Sequence, residues 1–84
     1  MERNQRKSQV KYFMEQPYVI EIQPIKGGFL ASIPLLGRYA VVSDGKTIRK
    51  AIKNLNQIKK EWFEIWLERG TTIPVPETDK FENI

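Results

Sequence analysis

The spacing of apolar positions changes period along the chain, and each change marks an element. From Tyr18 the period is two: Tyr18, Ile20 and Ile22 fall on one side and Glu21 and Gln23 on the other, the pattern of a half-buried strand. Pro24 fits an edge or a strand terminus, because it has no backbone N–H for a ladder. Lys26-Gly27-Gly28 then offers two residues that accept positive φ, which predicts a tight reversal into Phe29-Leu30-Ala31-Ser32-Ile33 and hence an antiparallel hairpin. Pro34 stops the second strand and Gly37 marks a turn. Tyr39-Ala40-Val41-Val42, rich in β-branched and aromatic residues, predicts a third strand of a meander.

Ser43-Asp44-Gly45-Lys46 breaks that strand, and Thr47 follows as a helix N-cap whose hydroxyl can accept from an orphan N–H of the next turn. The period now becomes three and four. Ile48, Ala51, Ile52, Leu55, Ile58, Trp62, Ile65 and Trp66 predict one long helix from Thr47 to Arg69, closed by Gly70 at the left-handed C′ position. Leu55, Trp62 and Trp66 are expected in the core. Phe63 and Leu67 widen the apolar arc to about 200° at roughly 100° per residue, more than one sheet covers. Two coverings fit: a second helix of this chain, or a protein interface. Val10, Phe13 and Met14 at i, i+3 and i+4 predict such a helix, short, beginning near Ser8 and ended by Pro17.

After Gly70 the run Thr71-Thr72-Ile73-Pro74-Val75-Pro76 favours an extended backbone, and Ile73 to Val75 allows a short fourth strand. The expected fold class is therefore α+β: a three-stranded antiparallel sheet packed on one long helix, with a short N-terminal helix. The 84 residues suffice for one domain, with 1–16 as a helical arm, 17–76 as the core and 77–84 as an acidic tail. A domain of this length buries only about 60 to 65% of the surface its unfolded chain exposes. With no Cys to form a disulfide, help from a partner or a second copy of the chain is expected. The N-terminal MERNQRKSQ lacks the apolar run of a secretory signal, and no stretch is long enough to span a bilayer. The expected location is the cytoplasm.

Charge divides the chain. Residues 1–60 carry twelve Lys or Arg against four Asp or Glu, and residues 61–84 carry two against six. Lys46, Arg49, Lys50 and Lys53 crowd the start of the long helix, where cations oppose the macrodipole. An acidic partner or nucleic acid would offset the repulsion; simple tolerance at exposed positions also accounts for it. Arg3, Arg6, Lys7 and Lys11 could join that cluster in one basic surface, so nucleic-acid binding is a standing alternative. No helix-turn-helix, RNP-type aromatic signature or GxxG loop accompanies it.

Catalytic chemistry is poorly served. The chain has neither His nor Cys, which excludes a Ser–His triad, a thiol nucleophile and the common zinc sites. Glu61, Glu64 and Glu68 share one helical flank but read as an exposed charged stripe. Asp44-Gly45-Lys46-Thr47 lacks the upstream glycine of a P-loop. The expectation is a binding module that is not an enzyme and uses no metal or cofactor.

Several residues in a shared order carry a resemblance. They are Tyr18 to Ile22, Gly27-Gly28-Phe29 with Ala31 and Pro34, Gly37, Asp44-Gly45-x-Thr47, Ala51 with Asn54, Trp62, Gly70, and Ile73-Pro74 with Pro76. Together they cover most of the chain and resemble the HicB-like antitoxin family. That resemblance implies a trimmed ribonuclease H-like fold without the acidic catalytic site. It also implies binding and neutralisation of a HicA-type toxin, a small RNA-cleaving protein. The sequence departs from the family in having Arg49 and Lys50 where an acidic pair often follows the turn threonine, in a slightly longer Pro34 to Gly45 connection without its Cys, and in carrying no recognisable DNA-binding module.

Overall fold

The computed structural model describes residues 2–77, the side chains of residues 2–4 excepted. The element order is α1 (Glu2–Met14), β1 (Glu21–Ile25), β2 (Gly28–Ser32), a 3-10 turn (Pro34–Leu36), β3 (Val42–Gly45) and α2 (Ile48–Arg69). The strands form one antiparallel sheet in the order β1-β2-β3, so the α+β meander expected from the periodicity is the observed fold.

The boundaries differ from expectation for identifiable reasons. The first strand begins at Glu21 rather than Tyr18, because Glu21 pairs with Ser32, the last residue of β2. Beyond Ser32 the chain turns at Pro34, so residues 18–20 have no strand to pair with. The third strand is displaced from 39–42 to Val42–Gly45. Here the carbonyl of Gly37 accepts from the N–H groups of Ala40 (3.1 Å) and Val41 (2.9 Å), which removes those donors from any ladder and winds 37–41 into a turn. Ser43, Asp44 and Gly45 therefore extend the sheet instead of breaking it, pairing with Ala31, Leu30 and Phe29.

Helix α1 starts at Glu2 rather than near Ser8. Its first residues are polar and give no apolar stripe, but Glu, Arg, Gln and Lys are good helix formers. At 71–77 no strand occurs; Pro74 and Pro76 lack the N–H a ladder needs. That segment is held by burial of Ile73 and by the Tyr18 hydroxyl, which donates to the Pro74 carbonyl at 2.6 Å.

Helix α2 lies across the inner face of the sheet. Ala51, Leu55, Lys59 and Phe63, each four residues from the last, form its buried row. They pack with Tyr18, Ala31, Ile33, Leu36, Val41 and Ile73. Phe63, fully buried, is the hub: its ring centroid lies 5.6 Å from Phe13, 6.0 Å from Tyr18 and 6.2 Å from Trp66. Thus α1 covers the widened arc of α2. Trp62 and Trp66 are half-buried at the margin of the core, while Ile48 and Ile65 are exposed. The deepest aromatic residue is therefore Phe63, one position on from the Trp62 expected from the spacing.

Both ends of α2 are capped as the sequence predicts. The Thr47 hydroxyl accepts from the Lys50 N–H at 3.0 Å. Gly70 is left-handed (φ 71°, ψ 22°), and the N–H groups of Thr71 and Gly70 donate to the carbonyls of Trp66 (2.9 Å) and Leu67 (3.3 Å), the paired bonds of a Schellman motif. No described helix is long and apolar enough to cross a membrane.

Candidate protein-binding surface

Residues directly opposed across an antiparallel pair share a face. Ile22, Ala31 and Ser43 therefore share one face, as do Pro24, Phe29 and Gly45; it is the face of β2 and β3 that packs on α2, with Pro24 exposed at its edge. The other face carries the row Gln23, Leu30 and Asp44 and the row Glu21, Ser32 and Val42. No described helix or strand packs over this second face: Glu21, Gln23 and Asp44 are exposed and Leu30 and Val42 half-buried, while Ser32 is buried in a hollow it shares with Arg38 and Tyr39 of the 37–41 turn. Tyr39, 94% exposed, stands at its rim on the 37–41 turn. Beside it Arg38 donates through Nε and Nη2 to both carboxylate oxygens of Glu21, at 3.1 and 2.9 Å. The result is a shallow apolar patch with one aromatic side chain presented to solvent and an ion pair along one side. Large exposed aromatics of this kind are the anchors of protein interfaces.

Most residues named for their order in the sequence serve the fold. Gly27 takes positive φ (84°) in the hairpin turn, whereas Gly28 lies in β2 and is needed for another reason. A Cβ on Gly28 would meet the Gly45 carbonyl, and a Cβ on Gly45 would meet the backbone of Lys50 (2.8 Å) and Ala51 (2.9 Å). Strand β2, strand β3 and the first turn of α2 thus stack backbone to backbone through two glycines. The Asp44 carbonyl accepts from the Asn54 amide at 2.8 Å, fastening β3 to α2. Pro34 opens the 3-10 turn, and Gly37 follows it at φ 112°. Trp62 donates from Nε1 to the Ala40 carbonyl at 3.0 Å, so the helix holds the turn that presents Tyr39. Ala51 is fully buried, and Pro74 receives the Tyr18 hydroxyl.

The basic residues line two hollows. Lys46 and Lys50 line a cleft with Lys26 around Gly27, Gly28 and Gly45, with Arg49 and Lys53 exposed on the same helix. Arg6, Lys7 and Lys11 lie instead beside Lys60. Lys50 and Lys60 are ten residues apart, about 15 Å along the helix axis and on different faces, but Arg49, Lys53 and Lys60, at i, i+4 and i+11, share one exposed face of α2 that runs between the two groups. Arg3 belongs to α1, but its side chain lies outside the described residues.

Two features escaped the sequence reading. Lys59 is only 7% exposed, and burial lowers its pKa below the ordinary lysine value. Its position midway between Leu55 and Phe63 in a row of i+4 spacing was the available signal. Tyr39 has the β-propensity of a strand residue, and only its place two residues after Gly37 points to a turn.

The chain matches no protein-family model, no curated protein and no solved structure.

Proposed function

We propose that this chain is a non-catalytic protein-binding module of the HicB-like antitoxin type, which binds a HicA-type RNA-cleaving toxin and blocks its active surface. The observation that carries the reading is the uncovered sheet face, with Leu30 and Val42 at its centre and Tyr39 on its rim. The ordered residues from Tyr18 to Pro76 that resemble the family support it. Self-association accompanies the proposal: among the described residues β3 has no strand on its outer edge, whereas Pro24 blunts the edge of β1. The test is co-expression with a HicA-type toxin. A stable complex and restored growth are expected, and Tyr39→Asp abolishes both while leaving the urea midpoint unchanged. Absence of both complex and rescue for the parent chain rejects the toxin; rescue untouched by Tyr39→Asp rejects the surface.

A second reading, binding of a nucleic-acid backbone, is favoured by Lys26, Lys46 and Lys50 converging on one cleft. It requires affinity that falls steeply with salt and weakens for all sequences alike on Lys46→Ala and Lys50→Ala. No gel shift at physiological salt rejects it.

A further inference from the structure

Helices α1 and α2 pack together and leave between them an open groove of about 750 Å³. Its floor is apolar: Val10 is buried there and Met14 half-buried. Its rim is basic. Arg6, Lys7 and Lys11 rise from α1 and Lys60 from α2, all exposed, with Glu64 as the one acidic residue in the lining. None of the four cations has an ion-pair partner among the described residues, where the only salt bridge is Arg38 with Glu21. Arg6 to Met14 spans about 12 Å of helix axis, enough to lie alongside roughly two turns of another helix.

We propose that this groove is a docking site for an acidic amphipathic helix of a partner protein. The occupant inserts apolar residues spaced i, i+4 and i+7 over Val10 and Met14, and its flanking Glu or Asp residues meet Arg6, Lys7, Lys11 and Lys60. Charge complementarity sets the sign of the partner, since a net excess of three positive charges lines a groove two turns long. The apolar floor sets its class. A nucleic-acid backbone would meet the rim alone, whereas an amphipathic helix meets the rim and also the part of Met14 that remains open on the floor. The site is separate from the uncovered sheet face and from any toxin bound there, so it stands or falls independently of that reading.

The probe is a fluorescein-labelled helical peptide of 14 residues, with Leu at i, i+4, i+7 and i+11 and mostly Glu elsewhere. Its binding to the full chain is followed by anisotropy and by amide chemical shifts. Saturable binding is expected, with the largest shifts in residues 6–14 and 60–64, and with at least a tenfold loss of affinity in Lys7→Glu/Lys11→Glu. Those two positions are exposed, so the circular dichroism spectrum of the double variant should match the parent. A scrambled peptide of equal composition without the apolar stripe should bind at least tenfold more weakly. Equal binding of the scrambled peptide, absence of saturation, or shifts confined to residues 26–28 and 45–50 would overturn the proposal. Tighter binding of a single-stranded oligonucleotide through residues 6–14 would overturn it in favour of nucleic acid.

Discussion

The backbone of Gly45 lies against that of Ala51, so closely that a methyl group on Gly45 would fall inside contact distance of the first turn of α2. The sheet and the long helix therefore meet with no side chain between them at this end. Thr47 caps the helix two residues beyond Gly45, and Asn54 ties it back to Asp44. Gly45→Ala should cost on the order of 1–3 kcal/mol, the usual effect of overpacking, because the opposing atoms are backbone and cannot swing aside. Gly28→Ala should behave alike against the Gly45 carbonyl. Urea midpoints equal to that of the parent would mean that the helix rides higher on the sheet than described.

The hub of the core is Phe63, and this ranks two neighbouring substitutions. Phe63→Ala empties a fully buried site that touches Phe13, Tyr18 and Trp66, and should lose about 3–5 kcal/mol. Trp62→Ala removes a half-buried ring and the hydrogen bond to Ala40. It should cost less overall but release the turn that carries Tyr39. Chemical denaturation measures the first effect and amide exchange at Ala40 and Val41 the second. A larger loss for Trp62→Ala than for Phe63→Ala would contradict the helix register.

Much of this arrangement is legible in the sequence because it rests on local rules. Period two from Tyr18, the glycines after Lys26, the Thr47 cap and the Gly70 stop each act over a few residues, and they placed the hairpin and the long helix. The start of the third strand is not legible, because it is decided by a single carbonyl, Gly37, accepting two N–H groups, and composition does not record that choice. Tyr39 looks like a strand residue by propensity, yet the turn leaves it in solvent. Packing between α1 and α2 was legible as an apolar surplus. Which cations that packing gathers was not, since it depends on how far along α2 the short helix docks.

Lys59 occupies a core position with a charged group. Its stem packs between Leu55 and Phe63 while burial penalises the ammonium and lowers its pKa, and no described residue pairs with it. Lys59→Met keeps the unbranched apolar stem and removes the charge, so it should stabilise the fold by on the order of 1 kcal/mol. The sign with pH follows from the direction of the shift. Just below the ordinary lysine value the unfolded chain holds the proton that the folded chain has released, so the contribution of Lys59 improves as pH rises through that window. A lower melting temperature for Lys59→Met at neutral pH would show that the ammonium makes a favourable contact.

Tyr18 acts in the opposite sense and should govern alkaline unfolding. Burial, with a smaller contribution from Tyr12, raises its pKa from 10.0 to about 12, and its hydroxyl donates to the Pro74 carbonyl. In the folded chain the phenol keeps its proton after the unfolded chain has lost it, so stability falls as pH rises from about 10 toward 12. The full difference is on the order of 2–3 kcal/mol, from about 1.4 kcal/mol per pH unit. Lys59 pulls the other way in part of this range, so the measurement belongs in a Lys59→Met background. There, Tyr18→Phe should be less stable than Lys59→Met alone by about 1 kcal/mol at pH 7, for the lost hydrogen bond. The gap should close and then reverse between pH 10 and 12, as the tyrosine form loses stability and the phenylalanine form does not. Parallel curves across that range would show that the Tyr18 hydroxyl ionises as freely in the folded chain as in the unfolded one.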